Sequence, residues 1–262
     1  MEPQIPSFED TRYNRQLMMP EWGAKRQDLL KSARVAVIGA GGVKSTLLMA
    51  LVAGGVGNIR IIEFDHLELS NLNRQILYRT SGIGQSKGQL AIATLKDLNP
   101  EINLELIEDK ISEYNISDLL NSWDFIVEGG DSPAGRNLVN DYCLQTKKPF
   151  VHTSAQYNYG YAFSVVPEWQ TACFACYFPN DHTREINTGP VPVSVLATSI
   201  AGSLGAAEIF KWFLGYKNNL IINKKLCFSS LLLSGEFQYE ETQCNPHCEV
   251  CSKYYTKKFE GG

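Results

Sequence analysis

Short unbroken apolar runs, separated by glycine turns and stretches of helical periodicity, organise the first half of the chain, and alternation takes over in the second. Val35 to Ile38 is one such run and predicts a buried parallel strand. Gly39, Gly41 and Gly42 follow as a turn almost without side-chain bulk, and the apolar stretch to Ala53 predicts a helix that Gly54, Gly55 and Gly57 end. Ile59 to Phe64 predicts a second strand closing on Asp65, and Glu21 to Lys31 predicts a helix leading into the first. Beyond Asp65, the polar run L-E-L-S-N-L-N-R-Q-I-L-Y predicts an irregular loop with a turn of helix. Lys87 to Leu98 is the next predicted helix, with Leu90, Ala91, Thr94 and Leu98 at helical spacing and Asn99-Pro100 as its stop. Strands are then predicted at Ile102–Ile107, at Phe125–Val127 (ending on Gly129-Gly130-Asp131) and at Phe150–Ser154, with a helix starting at Pro133 before the last of them.

Alternating aromatics from Tyr157 to Val166 predict a strand, and residues 177–193 form a Pro- and Gly-punctuated loop. Val195 to Leu214 predicts the longest helix, with Leu196, Ile200, Leu204 and Ala207 along one face and Gly215 at its end. Short strands near 219–223, 226–232 and 235–240 precede a cysteine-bearing tail. The expected fold is α/β: a Rossmann-like, mostly parallel sheet with an antiparallel C-terminal extension and a Cys₄ zinc site. Residues 1–20 read as an arm, and 21–262 as a single domain with a nucleotide-binding half, 21–156, and a substrate and zinc half, 157–262.

Composition narrows the function. With 20% charged residues, a net charge of −4 and no basic stripe, nothing invites nucleic acid. The acidic N-terminus lacks a secretion pattern, and no apolar run approaches membrane-spanning length, so no membrane partner is expected. Seven cysteines without a secretion signal argue for thiols or metal in a reducing compartment, hence a cytoplasmic protein.

The strand–glycine turn–helix–strand unit has the makings of a nucleotide site. Free amides and the helix dipole at the turn formed by Gly39, Gly41 and Gly42 favour an anionic phosphate, and Asp65 can accept hydrogen bonds from ribose hydroxyls. The third glycine of the dinucleotide fingerprint is replaced by Lys44, and the phosphate-loop NTPase pattern also fails, because Val43 stands before that lysine. Lys44 reads either as a solvent-facing residue of the first helical turn or as a phosphate contact. Asn71, Arg74 and Gln75 lie within ten residues of Asp65, and Lys87 starts the next helix. That much polar and cationic character suits ATP better than a dinucleotide, with Asp131 beyond another strand end placed to hold Mg²⁺.

Cys173-Phe-Ala-Cys176 and Cys248-Glu-Val-Cys251 are matched pairs that can close a tetrahedral Cys₄ site around structural Zn²⁺; free thiols or a redox pair are the alternatives. Cys244 and His247 rank below them as ligands. Cys143 and Cys227 read as small buried apolar groups, and His152 as a core histidine.

Over nearly its whole length the chain resembles the adenylating enzymes of the ThiF and MoeB type, kin of the ubiquitin-activating enzymes. The stretches that carry the resemblance are R-Y-N-R-Q at 12–16, G-A-G-G-V at 39–43, S-N-L-N-R-Q at 70–75, the G-x-x-K ending at Lys87 and the two Cys-x-x-Cys pairs. The resemblance implies a homodimeric, ATP-dependent adenylyltransferase that binds Mg²⁺ and adenylates a carboxylate, releasing pyrophosphate. By its pattern Asp65 holds the ribose, Asn71, Arg74, Gln75 and Lys87 the phosphates, and Asp131 the metal, while Arg15 reaches across the dimer as an arginine finger.

Two departures shape the expectation. Lys44 stands where the family has glycine, and Thr188 stands in the crossover loop where an acceptor cysteine is usual. A threonine hydroxyl is a poor thioester former. The expected activity is therefore adenylylation of a peptide or small-protein carboxylate without an enzyme thioester, as in the family's peptide-modifying members of antibiotic maturation such as the microcin C maturation enzyme. Activation of a Gly-Gly-ended sulfur-carrier protein for thiamine or molybdopterin synthesis is the alternative, and a catalytically silent scaffold partner is the reading from another class.

Overall fold

Parallel and antiparallel strands join in one eight-stranded sheet in the computed structural model, which describes residues 8–130, 132–179, 191–231 and 237–255. The strands are β1 (Arg34–Ile38), β2 (Asn58–Ile62), β3 (Asn103–Ile107), β4 (Phe125–Glu128), β5 (Phe150–Gln156), β6 (Tyr159–Val165), β7 (Lys224–Ser229) and β8 (Gln238–Glu241). The helices are α1 (Phe8–Leu17), α2 (Gly23–Ser32), α3 (Gly42–Gly54), α4 (Lys87–Leu98), α5 (Ile116–Leu120), α6 (Pro133–Thr146), α7 (Phe174–Tyr177) and α8 (Val195–Phe213). Strand order is β3-β2-β1-β4-β5-β6-β7-β8, parallel from β3 to β5 and antiparallel from there on. The α/β class and the change of strand direction in the second half are as expected.

The unbroken apolar runs reflect burial on both faces. Val35 and Val37 of β1 join Leu47, Leu51, Ile59, Ile61, Phe125 and Val127 in one core beneath α3 and α8, whereas Ala36 joins Ile126, Val139, Phe150 and Phe163 in a second core on the other face. A strand covered on both sides needs apolar residues at every position, so its sequence does not alternate.

Helix α8 lies against α3 because it presents glycine where the two backbones meet. A Cβ at Gly202 would come within 3.0 Å of the Thr46 Cβ and 3.1 Å of the Leu47 amide nitrogen. The Ser194 hydroxyl caps α8 by accepting from the Ala197 amide at 3.2 Å, and the Ser86 hydroxyl caps α4 through Gln89 at 3.2 Å.

Three expectations need correction. The arm holds a helix, α1, whose Tyr13 is buried; the Asn99 amide donates to the Tyr13 hydroxyl at 2.8 Å, and the Gln16 amide to the Gly54 carbonyl at 2.9 Å. No strand forms at 219–223. Leu220 and Ile221 are buried there, but the Ile221 amide donates to the Glu208 carboxylate at 2.7 Å rather than to a sheet neighbour. Short helices α5 and α7 fall where none was expected. No helix among the described residues is long and apolar enough to cross a membrane.

Candidate nucleotide and metal sites

Strand order reverses at β1, whose outgoing connection runs to β2 while β4 lies on its other side. At such a point the carboxyl ends of the two strands open a crevice, the usual ligand site of an open α/β sheet. The glycine turn lies there. Gly39 adopts φ +85°, a left-handed conformation that glycine reaches without strain, and Gly41 precedes α3 without a side chain to cap it. The first-turn amides are therefore free of a competing side-chain acceptor.

One amide of the turn is taken. Glu63, buried at the end of β2, accepts from the Ala40 amide at 2.7 Å and from the Asp65 amide at 2.9 Å. The Tyr78 hydroxyl donates to the Ala40 carbonyl at 2.7 Å, and its pKa is pushed well up by burial and then by the charges of Glu63 and Asp65. Sequence reasoning missed Glu63, although a carboxylate set among apolar neighbours was the available signal.

The cluster after Asp65 comes together around this turn. Lys87, buried at the start of α4, pairs with exposed Asp65 at 3.2 Å. A Cβ on Gly42 would lie 3.3 Å from Arg74 Cγ, and one on Gly41 would lie 3.9 Å from Gln75 Nε2, so both side chains rest against the turn. Gln75 is 6% exposed, and its buried Oε1 has no hydrogen-bond partner among the described residues. An orphaned acceptor and a cradle of bare glycines fit a bound ligand that brings its own donors and its own bulk. Asn71 is buried and accepts from the Glu68 amide at 3.1 Å, shaping the loop that carries Arg74. The Arg74 guanidinium donates to the Ser70 carbonyl and to Asn73, each at 2.9 Å.

Arg15 stands apart from this group. It is exposed on the last turn of α1, and its neighbour Gln16 is bonded to Gly54 at the far end of α3. Asp131 and Thr188 lie outside the described residues.

The four paired cysteines meet on the other face of the sheet. Sγ of Cys173 lies 3.8 Å from that of Cys176 and 3.7 Å from that of Cys248, and Cys176 lies 3.6 Å from Cys251. All four sulfurs lie within 4.8 Å of one another. Four thiolates at about 2.3 Å from a tetrahedral zinc stand about 3.8 Å apart, so these side chains fit that ion closely. The Cys244 sulfur lies 3.9 Å from Cys251, beside the four rather than among them. Cys143 is fully buried, and burial pushes its thiol well up. Cys227 is half-buried and pushed up to about 12, by burial first and then by the Glu240 carboxylate.

Comparison with known proteins gives this geometry a family. The ThiF family pattern matches residues 13–250. The chain belongs to the ThiF family. It is 34% identical over 261 residues to the sulfur carrier protein adenylyltransferase of Thermus thermophilus, spanning 94% of this chain and 92% of that protein. It is 30% identical to the adenylyltransferase and sulfurtransferase MOCS3 of Drosophila willistoni, where the match spans 96% of this chain but 55% of the relative. Among solved structures, E. coli MccB with ATP is similar with a TM-score of 0.81 at 28% identity, over 94% of this chain and 75% of that one. The expected kinship with adenylating enzymes is met across the fold.

In this ThiF-family chain Lys44 faces inward. It is 4% exposed, and its Nζ donates to the Glu128 carbonyl at 3.2 Å, which corrects the solvent-facing alternative. Burial pulls Lys44 down to about 8, with Glu128 opposing. Burial would raise Glu128, but His152, Lys44 and the Gly130 amide outweigh it and hold the carboxyl at about 2. His152 Nδ1 sits 2.5 Å from the Glu128 carboxylate, and burial keeps this imidazole below its ordinary value, so it is a neutral donor. As expected, His152 is a satisfied core histidine.

Proposed function

We propose that the chain is an ATP-dependent adenylyltransferase that activates the carboxylate of a peptide or small carrier protein. The observation that carries the reading is the meeting of an uncapped glycine turn, the Asp65–Lys87 pair, Arg74 and the orphaned Gln75 acceptor at the reversal of strand order. Family membership and the likeness to MccB with ATP support it. In the reaction the substrate carboxylate oxygen attacks the α-phosphorus and the bond to the β-phosphate oxygen breaks, giving acyl-AMP and pyrophosphate. Asp65 holds the ribose, while Lys87, Arg74, Asn71 and Gln75 hold and orient the triphosphate. Asp131 would hold Mg²⁺, which when bound neutralises triphosphate charge. Arg15 belongs to the partner's site in a homodimer. Cys173, Cys176, Cys248 and Cys251 would hold zinc as a structural ion.

Within this reading we favour peptide modification without an enzyme thioester. Four of the seven cysteines make up the candidate zinc set, Cys143 is buried with a raised pKa, Cys227 is half-buried and raised as well, and the seventh, Cys244, is half-buried and pushed up to about 11 by burial first. Such thiols are poor nucleophiles. Activation of a sulfur-carrier protein is the second reading, favoured by 34% identity to the Thermus thermophilus relative along 92% of its length. ATP–pyrophosphate exchange with a panel of peptides and carrier proteins tests both readings, and mass spectrometry after turnover tests the thioester. Exchange with no panel member would count against adenylation. A thiol-labile adduct on any cysteine would favour the carrier reading.

A further inference from the structure

Neither the adenylation chemistry above nor the packing of α3 accounts for Lys44. It is the third residue of α3, yet its side chain reaches from the start of that helix to the Glu128 carbonyl at the end of β4, across the crevice. Gly129, at φ +137°, is shaped to receive it: a Cβ there would run into both Lys44 Nζ and the Thr153 carbonyl. The lysine and the Gly129–Gly130 turn are built around each other. Burial lowers Lys44 to about 8 despite the nearby Glu128, so the pairing offsets the desolvation of this ammonium only in part.

The charged and titratable groups around it, among the described residues, are the Glu128 carboxylate on β4 and the His152 imidazole on β5, with Arg136 of α6 acting on His152 from beyond. Helix α8 packs on this part of α3 through Thr198 and Gly202, which carry no charge. We propose that Lys44 is a positioning residue for nucleoside triphosphate binding: it ties the first turn of α3 to the β4 end, fixes the Gly129–Gly130 turn beside the crevice, and places positive charge behind the phosphate-binding amides. The identity of the ligand rests on the adenylation reading; the tie itself does not.

Two measurements on the full chain separate the parts. Calorimetric titration with MgATP from neutral pH upward should show wild-type affinity falling through about pH 8 as the ammonium loses its proton. Lys44→Met should bind about tenfold more weakly at neutral pH and lack that fall. Amide hydrogen exchange without nucleotide should be faster at Gly129 and Gly130 in Lys44→Met. Lys44→Arg, long enough to donate to the Glu128 carbonyl and charged throughout this range, should retain slow exchange and lose the pH dependence. Unchanged ATP affinity together with unchanged exchange in Lys44→Met overturns the proposal. A wild type that binds no ATP overturns the nucleotide role and the adenylation reading, while faster exchange in the variant still upholds the tie.

Discussion

Glu63 and Glu128 each end an apolar strand, and each is buried and spoken for by backbone amides: Ala40 and Asp65 for the first, Gly130 for the second. Each shapes a glycine turn through backbone amides, the Gly39–Gly42 turn for Glu63 and the Gly129–Gly130 turn for Glu128. The Glu128–His152 pair gives a prediction about acid. His152 is held below its ordinary 6.5, so the unfolded chain takes up protons as pH falls through 6.5 while the folded state does not, and stability declines. Glu128, held at about 2 against an ordinary 4.5, contributes stability that is complete above 4.5 and lost as pH falls toward 2. Urea unfolding of wild type and His152→Asn, whose amide can donate from the Nδ1 position, should diverge below pH 6.5, with the wild type losing more. Parallel pH profiles for the two proteins would show that the imbalance in proton uptake is absent. A second prediction concerns Lys87, whose ammonium is buried beside an exposed Asp65. Lys87→Ala should cut pyrophosphate exchange by about 10²–10³-fold with the melting temperature little changed. A collapse of the fold would instead make Lys87 a packing residue.

At the scale of elements, the packing of α3 against α8 depends on a bare glycine face. Gly202→Val would set a side chain against the Val43 carbonyl and the Thr46 Cβ, so the helices must separate. Overpacking of this kind costs about 1–3 kcal/mol, readable as a lower denaturation midpoint with an unchanged slope. Elements whose local pattern agrees with their burial were legible in the sequence: β1 as an unbroken apolar run, α4 with its helical spacing and Asn99 behind, and α8 with its long apolar face. The failures have a common cause. Helix α1 has a polar sequence and is anchored by distant partners, Asn99 and Gly54, which no local pattern reveals. Residues 219–223 are apolar enough for a strand, but the Glu208 carboxylate takes the Ile221 amide that a ladder would need. The site divides along the same line. Asp65, Arg74, Gln75 and Lys87 were visible because polar residues gather at strand and helix ends, while the inward turn of Lys44 depends on Gly129 and Glu128, far along the chain.

For the molecule as a whole, the candidate nucleotide crevice lies at the carboxyl ends of the parallel strands and the four cysteines lie in the core of one face. Zinc would bind α7 to the tail that carries Cys248 and Cys251, a link reinforced by the Tyr255 hydroxyl donating to the Thr171 carbonyl at 3.0 Å. Elemental analysis should find about one zinc per chain, and a strong chelator should lower the melting temperature before it weakens ATP binding. Absence of zinc, or a coloured iron–sulfur cluster, would overturn the assignment. The last prediction concerns Arg15. Helix α3 has 13 residues and is therefore about 18 Å long from the glycine turn to Gly54. Gln16 is bonded to Gly54, so Arg15 belongs to the end of α3 remote from its own chain's crevice, farther away than an arginine side chain extends. If this guanidinium stabilises charge on a departing pyrophosphate, it must do so in the site of a second copy. Arg15→Ala and Asp131→Ala should each lose substrate-dependent pyrophosphate exchange. Mixed protomers should regain part of it, because one composite site of the mixed dimer then pairs an intact Arg15 with an intact Asp131. Full activity of Arg15→Ala alone, or mixed dimers as inactive as their parents, would remove the arginine from the chemistry and leave α1 as a cover for the base of the fold.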